Sequence, residues 1–157
     1  MRGFFNEYKW VILVLLLTVF VFHFVIQLSL VSSGSMRPTL EEWDVVIGIR
    51  TTDIHKGDVI TFKKNRYTLT KRVIAEGGDI LTIKNDHYYI NGKKEPYKVK
   101  GKTTGKTTYY KVPENCYFVS GDNRENSLDS RDREFAYVRK NEIRSKMIYV
   151  IGKGAIK

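Results

Sequence analysis

From Val11 to Val31 the chain carries no formally charged side chain, and only Thr18, His23, Gln27 and Ser29 interrupt an apolar run. As an α-helix these 21 residues would measure about 31 Å, close to the roughly 30 Å hydrocarbon thickness of a bilayer. Tyr8 and Trp10 stand where an interfacial aromatic belt would lie. A cleaved signal sequence would have a shorter apolar stretch followed by a small-x-small site, and only Val31-Ser-Ser33 weakly resembles one. The expectation is therefore a retained single transmembrane helix over residues 10–31, a short N-terminus at 1–9, and one tethered domain from 32 to 157. Charge alone does not orient it, because Arg2 and Lys9 on one side nearly balance Arg37 and Arg50 on the other.

The formal net charge is +10, and the first 32 residues supply only +1 of it. A basic domain can attract nucleic acid or an anionic membrane; the adjacent span favours the membrane. With 13% aromatics and only 3 prolines, the composition is that of a folded chain. Cys116 is the single cysteine, so no internal disulfide can form. Its setting, Cys116-Tyr-Phe-Val119, reads as a small buried hydrophobe rather than a nucleophile.

Beyond the span the chain reads as mainly β. Short runs rich in β-branched and aromatic residues occur at 45–50, 59–62, 67–74, 80–83, 117–120 and 147–151, separated by turn signals. Tyr88-Tyr-Ile90, Asn91-Gly92 and Lys93-Lys94 spell a hairpin, since Asn-Gly accepts positive φ twice. Residues 84–111 differ: eight lysines stand against Asp86 and Glu95, with no long apolar run. The expectation is a basic inserted hairpin region, at 84–113, with a mobile tip. A solvated loop is the plain reading of it, and contact with anionic lipid the sharper one.

Three segments carry candidate chemistry. In Ser32-Ser-Gly-Ser-Met-Arg-Pro-Thr-Leu40, Gly34 allows a bend that would present Ser35 just past the membrane; a linker of small residues has the same look. In Tyr67-Thr-Leu-Thr-Lys-Arg-Val73, strand alternation puts Lys71 on the face of Leu69 and Val73. If that face packs inward, burial lowers the lysine pKa, and a neutral amine near a serine hydroxyl can act as a general base. A lysine guarding an edge strand would look alike. The third segment, Gly121 to Arg131, holds one apolar residue in eleven; it suits either a plain loop or a hydrogen-bonded one, with an Asp129/Arg131 pair within reach. His23, His55 and His87 sit in the span or in turn-like stretches, so a Ser/His/Asp triad has no support. No His/Cys cluster suggests a metal and no Gly-rich phosphate loop a nucleotide, so no cofactor is expected.

Taken in order after a membrane anchor, these boxes resemble the bacterial type I signal peptidases of the Ser/Lys kind, in their Gram-positive-like form. Ser33-Gly-Ser-Met-Arg-Pro-Thr-Leu40, Gly57-Asp-Val-Ile60, Lys71-Arg-Val-Ile-Ala-Glu-Gly-Gly-Asp79 and Gly121 to Arg131 match the family's boxes. The resemblance implies Ser35 as nucleophile and Lys71 as base, with Ser127 orienting the lysine amine. It also implies Ser33 beside the Ser35 N–H as an oxyanion donor, and Asp129 with Arg131 as a supporting pair. It further implies cleavage of exported preproteins after small residues through an acyl-enzyme, in the plasma membrane, with the catalytic domain outside the cytoplasm, near the secretion translocon. Leu69 departs from the aromatic that the family often has there. A non-catalytic, membrane-tethered β module that assists preprotein or pilin assembly is the competing class; it would bind without cleaving. Self-cleaving repressors share the Ser/Lys fold, but their soluble, DNA-linked form does not suit a chain with a span.

Overall fold

The computed structural model describes residues 2–103, 107–132 and 135–156. The tip expected within the basic segment, at 104–106, lies outside them.

Helix α1 (Arg2–Phe20) runs into a π-helical turn at Val21–Val25. From Glu7 to Val25 the mean hydropathy is 2.2 and no residue is buried against the rest of the protein. A helix that is apolar on all sides, with nothing to bury it, is suited to lipid. It starts before the expected residue 10 and ends at Val25, before the expected residue 31. Ile26 already has extended geometry (φ −100°, ψ 144°), and Ile26–Leu30 is a strand, β1. The reason is a period-two pattern hidden inside the apolar run. Gln27 and Ser29 share one face and Ile26, Leu28 and Leu30 the other, and the next strand offers a full ladder from Ile26 opposite Ile49 to Leu30 opposite Val45.

The other strands are β2 (Val45–Ile49), β3 (Val59–Lys64), β4 (Tyr67–Glu76), β5 (Ile80–Lys84) and β6 (His87–Ile90). They are followed by β7 (Lys93–Lys94), β8 (Thr108–Lys111), β9 (Cys116–Ser120), β10 (Val138–Arg139), β11 (Ile143–Val150) and β12 (Gly154–Ala155). The main sheet has the order β1-β2-β11-β3-β4-β9-β10, with β12 on β11, and the second sheet the order β7-β6-β5-β8. Every ladder among the described residues is antiparallel. The fold is thus mainly β behind one apolar helix. The inserted region is larger than a hairpin, and it starts at Ile80 rather than residue 84. β5 pairs with both β6 and β8, so a strand that reads as core belongs to the second sheet. Its turns follow residue chemistry: Asn85 and Asp86, then Asn91 and Gly92, all have positive φ.

Three cores result. Ile60, Phe62, Val73 and Val119 pack on one face of the main sheet. Leu81, Ile83 and Tyr88 of the second sheet close on Ile74 and Phe118. Met36 and Leu40 pack against Val46, Val59, Met147 and Val150. This last core seats the segment that carries Ser35.

Candidate active site

Ser33 is extended, and Gly34–Met36 then makes one 3-10 turn. Met36 and Leu40 hold this turn down, being 2% and 0% exposed. Asn123 holds it from the other side: its backbone N–H donates to the Ser35 carbonyl at 3.0 Å, and its Nδ2 donates to the Gly34 carbonyl at 3.0 Å. Ser35 is therefore a clamped residue and not part of a loose linker.

Lys71 comes from the middle of β4, opposite Ile60 of β3, and is 3% exposed. Its Nζ lies 2.7 Å from Ser35 Oγ and 3.1 Å from the Thr70 carbonyl oxygen. Burial drives its pKa down to about 8, against the opposing pull of Asp129 and Asp122; Arg131 pushes the same way as burial. Ser33 Oγ is 3.3 Å from Ser35 Oγ.

Asp129 is buried. Its carboxylate accepts from Arg131 Nε at 2.8 Å and Nη2 at 2.9 Å, from Ser120 Oγ at 2.8 Å and from the Gly121 N–H at 3.0 Å. Burial alone would raise this carboxyl, but the hydrogen bonds and charge of Arg131 outweigh it and hold it below the usual value. Ser127 stands one step further from the lysine than expected. Its Oγ accepts from the Gly121 N–H at 3.1 Å, while the hydrogen bonds of Lys71 go to Ser35 and Thr70. Gly121 is the contact point between these pieces. A Cβ there would fall 2.4 Å from the Ser35 carbonyl oxygen and 2.3 Å from Ser127 Oγ. Only glycine lets the chain pass so close.

Sequence reasoning did not find the pair that backs the site. Arg72 and Asp122 are 2% and 0% exposed and bond bidentately, Nε to Oδ1 at 2.9 Å and Nη2 to Oδ2 at 2.7 Å. Arg72 also donates to the Gly57 carbonyl at 2.7 Å and to Thr39 Oγ1 at 3.1 Å. It thus ties the residue after Lys71 to the segment after Ser35. Strand alternation put Arg72 on the face opposite Lys71, beside Ile74; a buried guanidinium there needs a carboxylate, but nothing in the pattern names Asp122.

Ser35 and Lys71 open onto a cleft of about 430 Å³. Gln27 and Ser29 of β1 form one wall, Thr68 and Leu69 of β4 the other, and Val46 and Met147 lie between. Leu69, where an aromatic was the family habit, faces the cleft and takes no part in the Lys71–Ser35 hydrogen bond.

Residues 5–151 match the family described as signal peptidase, peptidase S26. The chain belongs to that family. Among related signal peptidases, Signal peptidase I of Bacillus amyloliquefaciens is 35% identical over 139 residues, covering 79% of this chain and 75% of the relative. Signal peptidase I of Bacillus caldolyticus is 38% identical over 144 residues, covering 79% and 78%. A solved signal peptidase I from Enterococcus faecalis aligns at 25% identity with a TM-score of 0.49, covering 67% of this chain and 97% of that one. The segments that the family match spans in this signal peptidase include every residue of the site just described.

Proposed function

We propose that this signal peptidase, a serine endopeptidase that removes signal peptides from preproteins, works through Ser35 as nucleophile and Lys71 as general base. The carrying observation is the 2.7 Å contact between Lys71 Nζ and Ser35 Oγ in a buried pocket at the cleft. With its pKa near 8, a useful fraction of Lys71 is neutral at mildly alkaline pH and can accept the Ser35 proton. Ser35 Oγ then adds to the scissile carbonyl. The Ser35 N–H and the Ser33 hydroxyl are the donors for the oxyanion. Collapse releases the mature protein's amine, which takes the proton back from Lys71, and leaves an acyl-enzyme for water to hydrolyse. Asp129 with Arg131, and Ser127 through Gly121, keep the surroundings of the dyad in register.

The cleft suits an extended peptide. β1 is an edge strand. Its ladder alternation leaves the backbone groups of Leu28 and Leu30 turned away from β2, free to pair with another strand.

We further propose that the apolar helix crosses the plasma membrane, with residues 1–9 in the cytoplasm and the catalytic domain outside, close to where the translocon delivers preproteins. An exposed apolar face supports the bilayer contact. Leu28, Leu30, Trp43, Val45 and Tyr149 are 38–76% exposed; β1, which carries Leu28 and Leu30, continues directly from the helix, and β2 and β11 lie beside it in the sheet. Ser35 lies ten residues beyond Val25, at the level where a signal peptide leaves the hydrocarbon.

The test is cleavage of a synthetic signal peptide by the full chain in detergent. Ser35→Ala and Lys71→Ala each abolish product formation while the fold persists by circular dichroism. Retained cleavage by either variant overturns that residue's role, and binding without cleavage by the native chain favours the non-catalytic class. The rate of the native enzyme rises as pH increases through about 8, as Lys71 loses its proton.

A further inference from the structure

One contact between the second sheet and the surroundings of the site is a buried hydroxyl. Tyr88 of β6 is 0% exposed, and its OH lies 3.0 Å from Ser120 Oγ of β9. Ser120, equally buried, lies 2.8 Å from Asp129 Oδ2. A carboxylate only accepts, so the single hydroxyl proton of Ser120 goes to Asp129. Ser120 Oγ is then an acceptor, and Tyr88 must donate to it. The chain therefore has one direction, from the phenol through the serine to the carboxylate. Burial pushes the Tyr88 pKa up to about 12, so the donor proton persists through the working range of a base near 8.

Tyr88 is itself locked. The Arg124 guanidinium stacks on its ring at 4.0 Å from the centroid. Arg124 Nη2 pairs with Glu95 Oε2 at 2.6 Å, and Glu95 Oε1 accepts from the Tyr88 N–H at 3.2 Å. None of Tyr88, Glu95, Ser120 or Arg124 lines the cleft, so none is placed to touch substrate there. What they hold does matter to the dyad. Asp129 acts on Lys71 by charge, and the same Oδ2 that accepts from Ser120 also accepts from the Gly121 N–H, beside the Ser35 carbonyl.

We propose that Tyr88 is a positioning residue for the Ser/Lys dyad: acting through Ser120, its hydroxyl fixes the Asp129 carboxylate, and through it the inserted sheet sets the surroundings of Lys71. This inference rests on the dyad reading above. The charges acting on Lys71 are Asp129, Asp122 and Arg131, while β3 and the 3-10 turn present it with uncharged Ile60 and Ser35. Those acting on Tyr88 are Arg124, Asp129 and Arg131. Removing the phenol hydroxyl leaves all these charges in place. It weakens the donation from Ser120, so more negative charge stays on the Asp129 oxygen and the Lys71 ammonium is favoured.

The experiment compares full-length Tyr88→Phe, Ser120→Ala and the double variant on a synthetic signal peptide across pH, with Ser35→Ala and Lys71→Ala as controls. Each single variant lowers kcat by about three- to tenfold, the worth of one hydrogen bond, with KM unchanged and the rising limb of the pH profile moved to higher pH. The double variant is no worse than Ser120→Ala, because both changes cut one chain. Three outcomes overturn the proposal: a wild-type kcat and limb in Tyr88→Phe, a lowered kcat with an unmoved limb, or additive losses in the double variant. Cleavage retained by Ser35→Ala or Lys71→Ala overturns the dyad itself, a result that Tyr88→Phe cannot mimic.

Discussion

Lys71 is held in a form that the fold would rather not bury charged. Its pKa in the protein is about 8 against an ordinary 10.5. The folded state therefore binds fewer protons than the unfolded one between those values, and stability rises with pH across that window. The stability is complete above about 10.5 and falls by up to about 3 kcal/mol as pH drops through about 8. Lys71→Met, inactive by the dyad reading, is thus expected to unfold at a higher temperature than the native chain at neutral pH. The gap closes as pH approaches 10.5; thermal unfolding in detergent at a series of pH values measures it, and an equal midpoint at neutral pH contradicts it. The opposite holds for Asp122. Asp122→Ala strands the Arg72 guanidinium in a dry site and costs about 3–5 kcal/mol, readable as a drop in denaturant midpoint. At this scale the sequence was legible where a residue type met a period. Lys71 on the Leu69/Val73 face is such a case, and the Asp129/Arg131 pair, two residues apart, is another. The Arg72–Asp122 pair and the Tyr88–Ser120–Asp129 chain were not. They join residues 50, 32 and 9 positions apart, and polar contacts at such separations leave no periodic mark.

Among the elements, β1 departs furthest from its expected form. Hydropathy merges it with the helix because Leu and Ile suit both states, and only Gln27 and Ser29 betray the alternation. The hairpin at 91–92 was legible because Asn and Gly readily accept the positive φ that its turn requires. Ser35 itself read equally well as part of a linker, and only the ordered set of boxes marked it. The ladder of β1 makes a sharp contrast testable. Proline at Leu28 removes an N–H that faces the free edge, whereas proline at Ser29 removes one that pairs with Val46. Leu28→Pro is therefore expected to raise KM for an extended peptide with little change in stability. Ser29→Pro is expected to destabilise the sheet by about 3 kcal/mol or more. Equal effects of the two on thermal midpoint would remove β1 as a docking edge.

At the scale of the whole molecule, two antiparallel sheets share β4 and β9 side chains as a common core, and Ser35 and Lys71 line the cleft. The apolar helix is not hung from this assembly by a slack tether. The π-helical turn at Val21–Val25 passes without a break into the strand that walls the cleft. A chain beginning at Ile26 keeps that wall, and one beginning at Val31 loses it; kcat/KM on a soluble peptide should survive the first truncation and collapse in the second. With no slack between them, a bilayer around the helix, as proposed above, also becomes a mechanical input to the enzyme. A lipid film thicker or thinner than the helix tilts or pulls on it, and the nearest compliant joint is the cleft wall. Turnover in vesicles should then pass through a maximum as lipid acyl chains are lengthened, so that the thickness of the surrounding film acts as a tuning screw on catalysis.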